Sequence, residues 1–309
     1  MIRSPAQSLT GIHAATIVPM HADYSLDEAA LAQHFAHVTA VKGIRGLLVN
    51  GHAGENFTLT VAEKKRVVEI ARKVTPPDCY LVSGVNQESS LAAAEEASIL
   101  EQAGADALLV FPPNSWALGH ADEVVMIHHR HVLEATHCPL MIYGAPVGAG
   151  QMAYPLSVLG DLVRESRICA VKEGSWEVAA YEANRRHLKQ IRPEFIVMGS
   201  GDEHLLTSYM IGNEGSQVSL AAVIPELLCD LWDASARGEW TRARLVHEKI
   251  YPLSVAVYRD APGGRATARL KACLKILGRL QSDALRPPQP LATVSEYHTL
   301  EHALKHALS

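Results

Sequence analysis

Aromatic residues are scarce, at 6% of the 309-residue chain, and there are only five cysteines. Cys79, Cys138, Cys169, Cys229 and Cys273 are odd in number, widely spaced and never in CxxC register. This excludes a disulfide-stapled scaffold and a paired-cysteine metal or redox motif. Their apolar flanks, as in Ile168-Cys169-Ala170-Val171, mark them as reduced interior residues of a cytoplasmic protein. No run approaches the ~18 to 20 apolar residues of a membrane-spanning helix. The mildly apolar stretch at 9–20 is broken by His13 and Pro19 and has no Leu-rich centre, so it does not read as a signal peptide. Basic excess is also absent: a net charge of -5 and a pI of about 6.3 leave no general field for a polyanion. The expectation is a soluble cytoplasmic protein with a small-molecule partner, and neither nucleic acid nor a membrane.

The chain does hold 48% hydrophobic and 20% charged residues, enough to bury a sizeable core. Short apolar runs alternate with amphipathic stretches of helical period, the pattern of repeated βα units around a parallel sheet. Strands are expected at 12–18, 46–50, 80–83, 107–111, 140–143, 168–172, 195–199 and 215–219, with helices at 26–41, 62–73, 89–103, 122–135, 155–163, 176–190 and 203–211. Eight strands at this spacing predict an α/β fold, a closed (β/α)8 TIM barrel over residues 1–224. Beyond 219 the strand signal stops, and helical patterns at 226–236, 241–258, 267–277 and 295–308 predict a C-terminal helical extension over 225–309.

Catalytic groups of such a barrel sit at the C-terminal ends of its strands. Strand six ends in Lys172-Glu173-Gly174. A lysine amine attacks a ketone only when deprotonated, which from a pKa of about 10.4 requires desolvation. On position alone two readings stand, a nucleophile and a surface lysine paired with Glu173. Strand five ends in Tyr143-Gly144-Ala145-Pro146, beside Lys172, where a phenol either exchanges protons with substrate or simply lines the rim. Strand two ends in Gly51-His52-Ala53-Gly54-Glu55, whose amides suit a carboxylate, and strand seven in Gly199-Ser200-Gly201-Asp202. Either glycine-rich segment is equally a plain βα turn.

In order and at barrel spacing, Gly-x-x-Gly-Glu, Tyr-x-x-Pro, a strand-closing lysine and Ser-Gly-Asp resemble the dihydrodipicolinate synthase/N-acetylneuraminate lyase family of Schiff-base aldolases, from about residue 11 to 225. The resemblance implies a lyase, aldolase or dehydratase, acting on a pyruvate-type 2-oxo acid. Lys172 would carry the imine and Tyr143 would be the general acid/base, with Gly51, His52, Ala53, Asn114, Gly201 and Ser219 binding substrate. It also implies no metal or organic cofactor and a homo-oligomer, tetramer or dimer.

The sequence departs from the family pattern at several points. His52 and Ala53 stand where the family's turn has two hydroxyl residues, so His52 either replaces their proton relay, contacts the distal part of the substrate or is structural. Gly148 stands where dihydrodipicolinate synthases have an arginine. The strand-four loop, Phe111-Pro112-Pro113-Asn114-Ser115-Trp116, lacks their tyrosine, and Leu220-Ala221-Ala222-Val223 lacks a downstream asparagine. These changes argue against lysine biosynthesis and for an uncharged distal pocket built from Pro113, Trp116, Ala145, Val147 and Gly148. Two other readings compete. One is a non-catalytic 2-oxo acid binding protein on the same fold. The other is a metal-dependent barrel enzyme, for which His128, His129 and His131, or the stripe His298, His302 and His306, would be ligands. Both histidine groups fall on predicted helices away from the strand ends and are expected on solvated faces.

Overall fold

The computed structural model describes residues 8–259 and 263–309. Residues 1–7, with which the expected barrel unit opens, and 260–262 lie outside the described residues. Eight short strands form where the apolar runs stand: β1 (Gly11–Ala15), β2 (Ile44–Val49), β3 (Tyr80–Val85), β4 (Ala107–Val110), β5 (Leu140–Gly144), β6 (Ile168–Glu173), β7 (Ile196–Gly199) and β8 (Gly215–Val218). Each pairs in parallel with the next, and β8 returns to β1, closing the barrel. The expected (β/α)8 TIM barrel is the fold of this chain.

The strands are buried on both faces, which explains their continuous apolar character. One face fills the lumen with residues such as Leu48, Val82, Leu109, Met141, Ala170 and Met198. The other packs against the helical ring, where Phe35, Val67, Leu100, Val132 and Leu162 close the second layer.

The ring consists of α1 (Glu28–Ala40), α2 (Val61–Val74), α3 (Ser90–Gln102), α4 (Asp122–Ala135), α5 (Leu156–Arg164), α6 (Val178–Ile191), α7 (Leu205–Ile211) and α8 (Pro225–Ala236). Helix α8 packs on β1 and α7 and so occupies the ring position of the eighth unit. The C-terminal part continues with α9 (Trp240–Tyr258), α10 (Ala266–Ile276) and α11 (Val294–Ala307). Helix α9 packs on α8 and α11, while α10 reaches the turn after β2. No described helix is long and apolar enough to cross a membrane.

Two element boundaries move for physical reasons. Strand one ends at Ala15 rather than 18, although the Thr16 amide still donates to the Leu48 carbonyl at 3.0 Å. Pro19 beyond it has no N–H to continue the ladder. Helix α6 starts at Val178 because Trp176 has φ of 61° and cannot join a right-handed helix.

His128 and His129, expected on a solvated face of α4, are instead buried. His128 Nδ1 lies 3.1 Å from Ser90 Oγ, and His129 Nδ1 lies 2.9 Å from the Val125 carbonyl. The reason is geometric: α4 packs against α3, and Trp116 folds onto His128 with ring centroids 5.5 Å apart, so this face of the helix is interior. Burial lowers both imidazoles to a pKa of about 4 and holds them neutral. His298, His302 and His306 are exposed on α11, as expected. Cys79, Cys169, Cys229 and Cys273 are buried free thiols, and Cys138 is a half-buried one.

Candidate active site

Strand register brings the first two residues together. Tyr143 on β5 pairs with Lys172 on β6, and Lys172 Nζ lies 5.8 Å from the centre of the phenol ring. Glu173 does not pair with Lys172. Successive residues of a strand point to opposite faces, and the Glu173 carboxylate is buried outside the lumen, accepting from Asn184 Nδ2 at 2.8 Å and Ser175 Oγ at 3.1 Å. Lys172 is thus left facing the barrel mouth, where burial lowers its pKa from 10.5 to about 8 against the opposing pull of Asp202. At this value a neutral amine is accessible near physiological pH.

The turn after β2 supplies the third member. His52 opens a short 3-10 turn, His52–Gly54, and its Nδ1 lies 3.5 Å from Tyr143 Oη. Its ring also packs on Phe111, centroids 4.5 Å apart. The His52 side chain is open to the cavity, yet desolvation in the crowded barrel mouth, then the charge of Lys172, holds its pKa well below 6.5, so the imidazole is neutral and offers one donor and one acceptor nitrogen. Burial raises the Tyr143 pKa and keeps the phenol protonated. Within the turn the amides of Gly54, Glu55 and Asn56 donate to Gly51 and His52 carbonyls. Those of His52 and Ala53 have no acceptor among the described residues.

What holds this turn lies far away in the chain. Glu55 sits in the left-handed region, φ 55°, with its carboxylate fully buried. Its Oε2 accepts from Lys271 Nζ of α10 at 2.5 Å, and its Oε1 from the Arg286 amide at 3.1 Å. Thr267 Oγ1 donates to the His52 carbonyl at 3.3 Å. Behind the turn Asn50, at φ 52°, donates through Nδ2 to Ser83 Oγ at 2.9 Å. Gly84 is required at this point, because a Cβ there would come within 2.1 Å of the Asn50 carbonyl oxygen.

Across the mouth, Asp202 accepts from the Leu220 amide at 3.0 Å, and burial raises its pKa to about 7. The Tyr258 hydroxyl, from α9, is buried beside Asp202 and Ser219 without a hydrogen bond of normal geometry. Trp176 stacks on Tyr258, centroids 5.2 Å apart.

These groups surround one cavity of about 500 Å³. Lys172, Tyr143, His52, Ala53, Asn114 and Ser219 line it, so the structure brings together six of the eight residues singled out in the sequence. Gly51 is buried behind the turn, and Gly201 lies beside the cavity rather than on its wall. The expected distal pocket is corrected. Trp116 is buried against His120, His128 and Tyr154, while Val147 and Gly148 are exposed. The distal wall instead comprises Phe57, Pro146, Trp176, Tyr258 and Leu270. Phe57 follows the β2 turn closely enough to be a candidate by position. Tyr258, Thr267 and Leu270 come from helices that carry no strand-end signal. Among the described residues no three His, Cys, Asp or Glu side chains are placed to hold a metal ion.

Comparison with known proteins shows the family and the fold. The family model described as the Dihydrodipicolinate synthetase family matches residues 8–307. The chain is 31% identical over 274 residues to 4-hydroxy-tetrahydrodipicolinate synthase 1 of Streptomyces coelicolor, covering 89% of this chain and 86% of that protein. It is 26% identical over 298 residues to an uncharacterized DapA-like lyase of Pyrococcus abyssi, covering 96% and 98%. A solved structure of YagE, a prophage protein of the dihydrodipicolinic acid synthase family from E. coli K12 in complex with pyruvate, superposes with a TM-score of 0.89 over 97% of this chain and 98% of that one. Its sequence identity is 21%, so the likeness carries the fold alone.

Proposed function

This chain belongs to the dihydrodipicolinate synthetase family, and we propose that it is a lyase that binds a pyruvate-type 2-oxo acid as a Schiff base on Lys172. The observation that carries the proposal is the desolvated Lys172 at the end of β6, lowered to about 8, with Tyr143 beside it in register. The neutral amine adds to the ketone carbon, and loss of water leaves an iminium that serves as an electron sink. From this intermediate either a C3 proton leaves or the C3–C4 bond breaks, so aldol chemistry and dehydration share the same first half.

Tyr143, kept protonated by burial, is the general acid/base, and the neutral His52 at 3.5 Å is its proton-exchanging neighbour in place of a hydroxyl relay. The free amides of His52 and Ala53 suit the 2-oxo acid carboxylate. Asn114 and Ser219 contribute polar groups to the remaining wall, and Gly51 and Gly201 act through the backbone that shapes it. No cofactor enters the scheme. We further propose a cytoplasmic homo-oligomer, dimer or tetramer; Leu118, 93% exposed in the loop after β4, is an apolar contact for a second copy.

The test is borohydride reduction in the presence of pyruvate, followed by peptide mass mapping. The expected result is one reduced adduct, on Lys172. An adduct on Lys42 or Lys189 instead, or none, overturns the proposal.

A further inference from the structure

The cavity is far larger than a 2-oxo acid requires and lies within the range of drug-sized ligand sites. Its excess volume belongs to whatever reacts at C3. The walls there are aromatic at opposed sides of the mouth. Phe57 follows β2 and Trp176 follows β6, and three strands lie between these two in either direction around the closed eight-stranded barrel. Trp176 is backed by Tyr258 and adopts a left-handed conformation that strains a bulky residue. Phe57 leaves 46% of its surface exposed, forgoing part of the stabilisation that full burial of such a side chain provides. A flat apolar group seated between them would recover that loss.

Charge narrows the class further. Among the described residues Lys172 is the only lysine or arginine on the cavity wall, where it is consumed by the imine, and His52 beside it is neutral. Arg259 and Arg265, the nearest arginines in sequence to the rim, are committed to Glu203 and Glu296. Among the described residues Asp202 is the one carboxylate on the wall; in its ionised form it repels an anion, and it offers an acceptor to a hydroxyl.

Resting on the Schiff-base reading above, we infer that the second substrate is a neutral aryl aldehyde, held between Phe57 and Trp176 and condensed with the pyruvate enamine. In the forward direction C3 of the enamine forms a bond to the aldehyde carbon, and the carbonyl π electrons pass to its oxygen. The proton lost from C3 ends on that oxygen, carried by the Tyr143–His52 pair. The water released on imine formation returns on hydrolysis, freeing a 4-aryl-4-hydroxy-2-oxobutanoate. Cleavage is the exact reverse.

The test uses the full chain with saturating pyruvate and three aldehydes: benzaldehyde, glyceraldehyde and succinic semialdehyde. The kcat/KM for benzaldehyde is expected to exceed that for either of the others by about 100-fold, the scale of discrimination an apolar pocket provides. Trp176→Ala is expected to raise the KM for benzaldehyde about tenfold, the loss of one aromatic pair with its buried area, while the KM for pyruvate changes less than about twofold. Preference for succinic semialdehyde or glyceraldehyde overturns the inference, as does an equal rise in both KM values. Pyruvate trapping on Lys172 without turnover of any of the three aldehydes also overturns it. Absence of trapping fails the Schiff-base reading itself, and this subsite with it.

Discussion

Replacing Lys172 by Met is expected to abolish imine formation and, at the same time, to stabilise the fold near neutral pH. Burial lowers the ammonium from 10.5 to about 8, and the attraction of Asp202 is already contained in that value because it opposes the effect of burial. At about 1.4 kcal/mol per pH unit, the charged form carries a penalty of about 3 kcal/mol in the folded state. The sign follows from proton counts. Below pH 8 both folded and unfolded chains hold the proton, and the whole penalty stands. Between 8 and 10.5 the folded amine is neutral while the unfolded one is still charged, so stability rises with pH; above 10.5 the penalty is gone. Lys172 Nζ makes no hydrogen bond to a described residue, so Met removes the charge without orphaning a partner and keeps the approximate volume. Urea unfolding at about pH 7.5 is therefore expected to give a variant more stable by about 3 kcal/mol, an advantage that fades above about pH 8 and vanishes near 10.5. A variant no more stable than the parent at about pH 7.5, or a difference independent of pH, would refute the claim that Lys172 is held in its site against a desolvation penalty.

The same low pKa predicts that the rate of imine formation with pyruvate rises about tenfold per pH unit below 8 and levels off above it; a flat profile between about pH 6 and 9 would remove amine deprotonation from the rate. Tyr143→Phe is expected to keep borohydride trapping while turnover falls by about 10²–10⁴, and unchanged turnover would show that proton transfer passes elsewhere. Lys271→Met strands the Glu55 carboxylate in the interior beneath the β2 turn, which is expected to cost about 3–5 kcal/mol in urea unfolding. A loss under about 1 kcal/mol would mean that the pair is not what fixes the turn.

The barrel was legible because parallel strands buried on both faces write themselves as short apolar runs, and because one rule, catalysis at the strand ends, converts those runs into positions. That rule picked out Lys172 and Tyr143 but left each with two readings, which the ordered motifs around them narrowed; their side-by-side register was implicit in consecutive strands. The burial of His128 and His129 was not legible, since a helical pattern counts polar residues as outward and cannot see Trp116 arriving from the preceding loop. Trp116 and Trp176 present the same difficulty. Both follow a strand end, and only packing decides that the first turns into the helical layer while the second, at φ 61°, lines the cavity. No residue-type preference announces a tryptophan in the left-handed region.

These misses share a physical origin that bears on how function is divided in the fold. The imine-forming half is assembled from strand ends that are neighbours in the barrel, so sequence order carries its geometry. The groups that back the cavity, Tyr258, Thr267 and Leu270, and the clamp that shapes the turn come from α9, α10 and the segment after α10. Their contacts are fixed by the docking of the C-terminal helices rather than by any strand register. Glu55 illustrates the boundary. The Gly-x-x-Gly-Glu pattern marks it as special, yet its partner Lys271 stands 216 residues away on a helix with no signal of its own. The register of Lys172 with Tyr143 is therefore encoded by neighbouring strands, whereas the shape of the β2 turn depends on contacts made at long range, and for that reason substitutions in α10 are expected to alter the turn and the cavity wall before they alter whether Lys172 reacts.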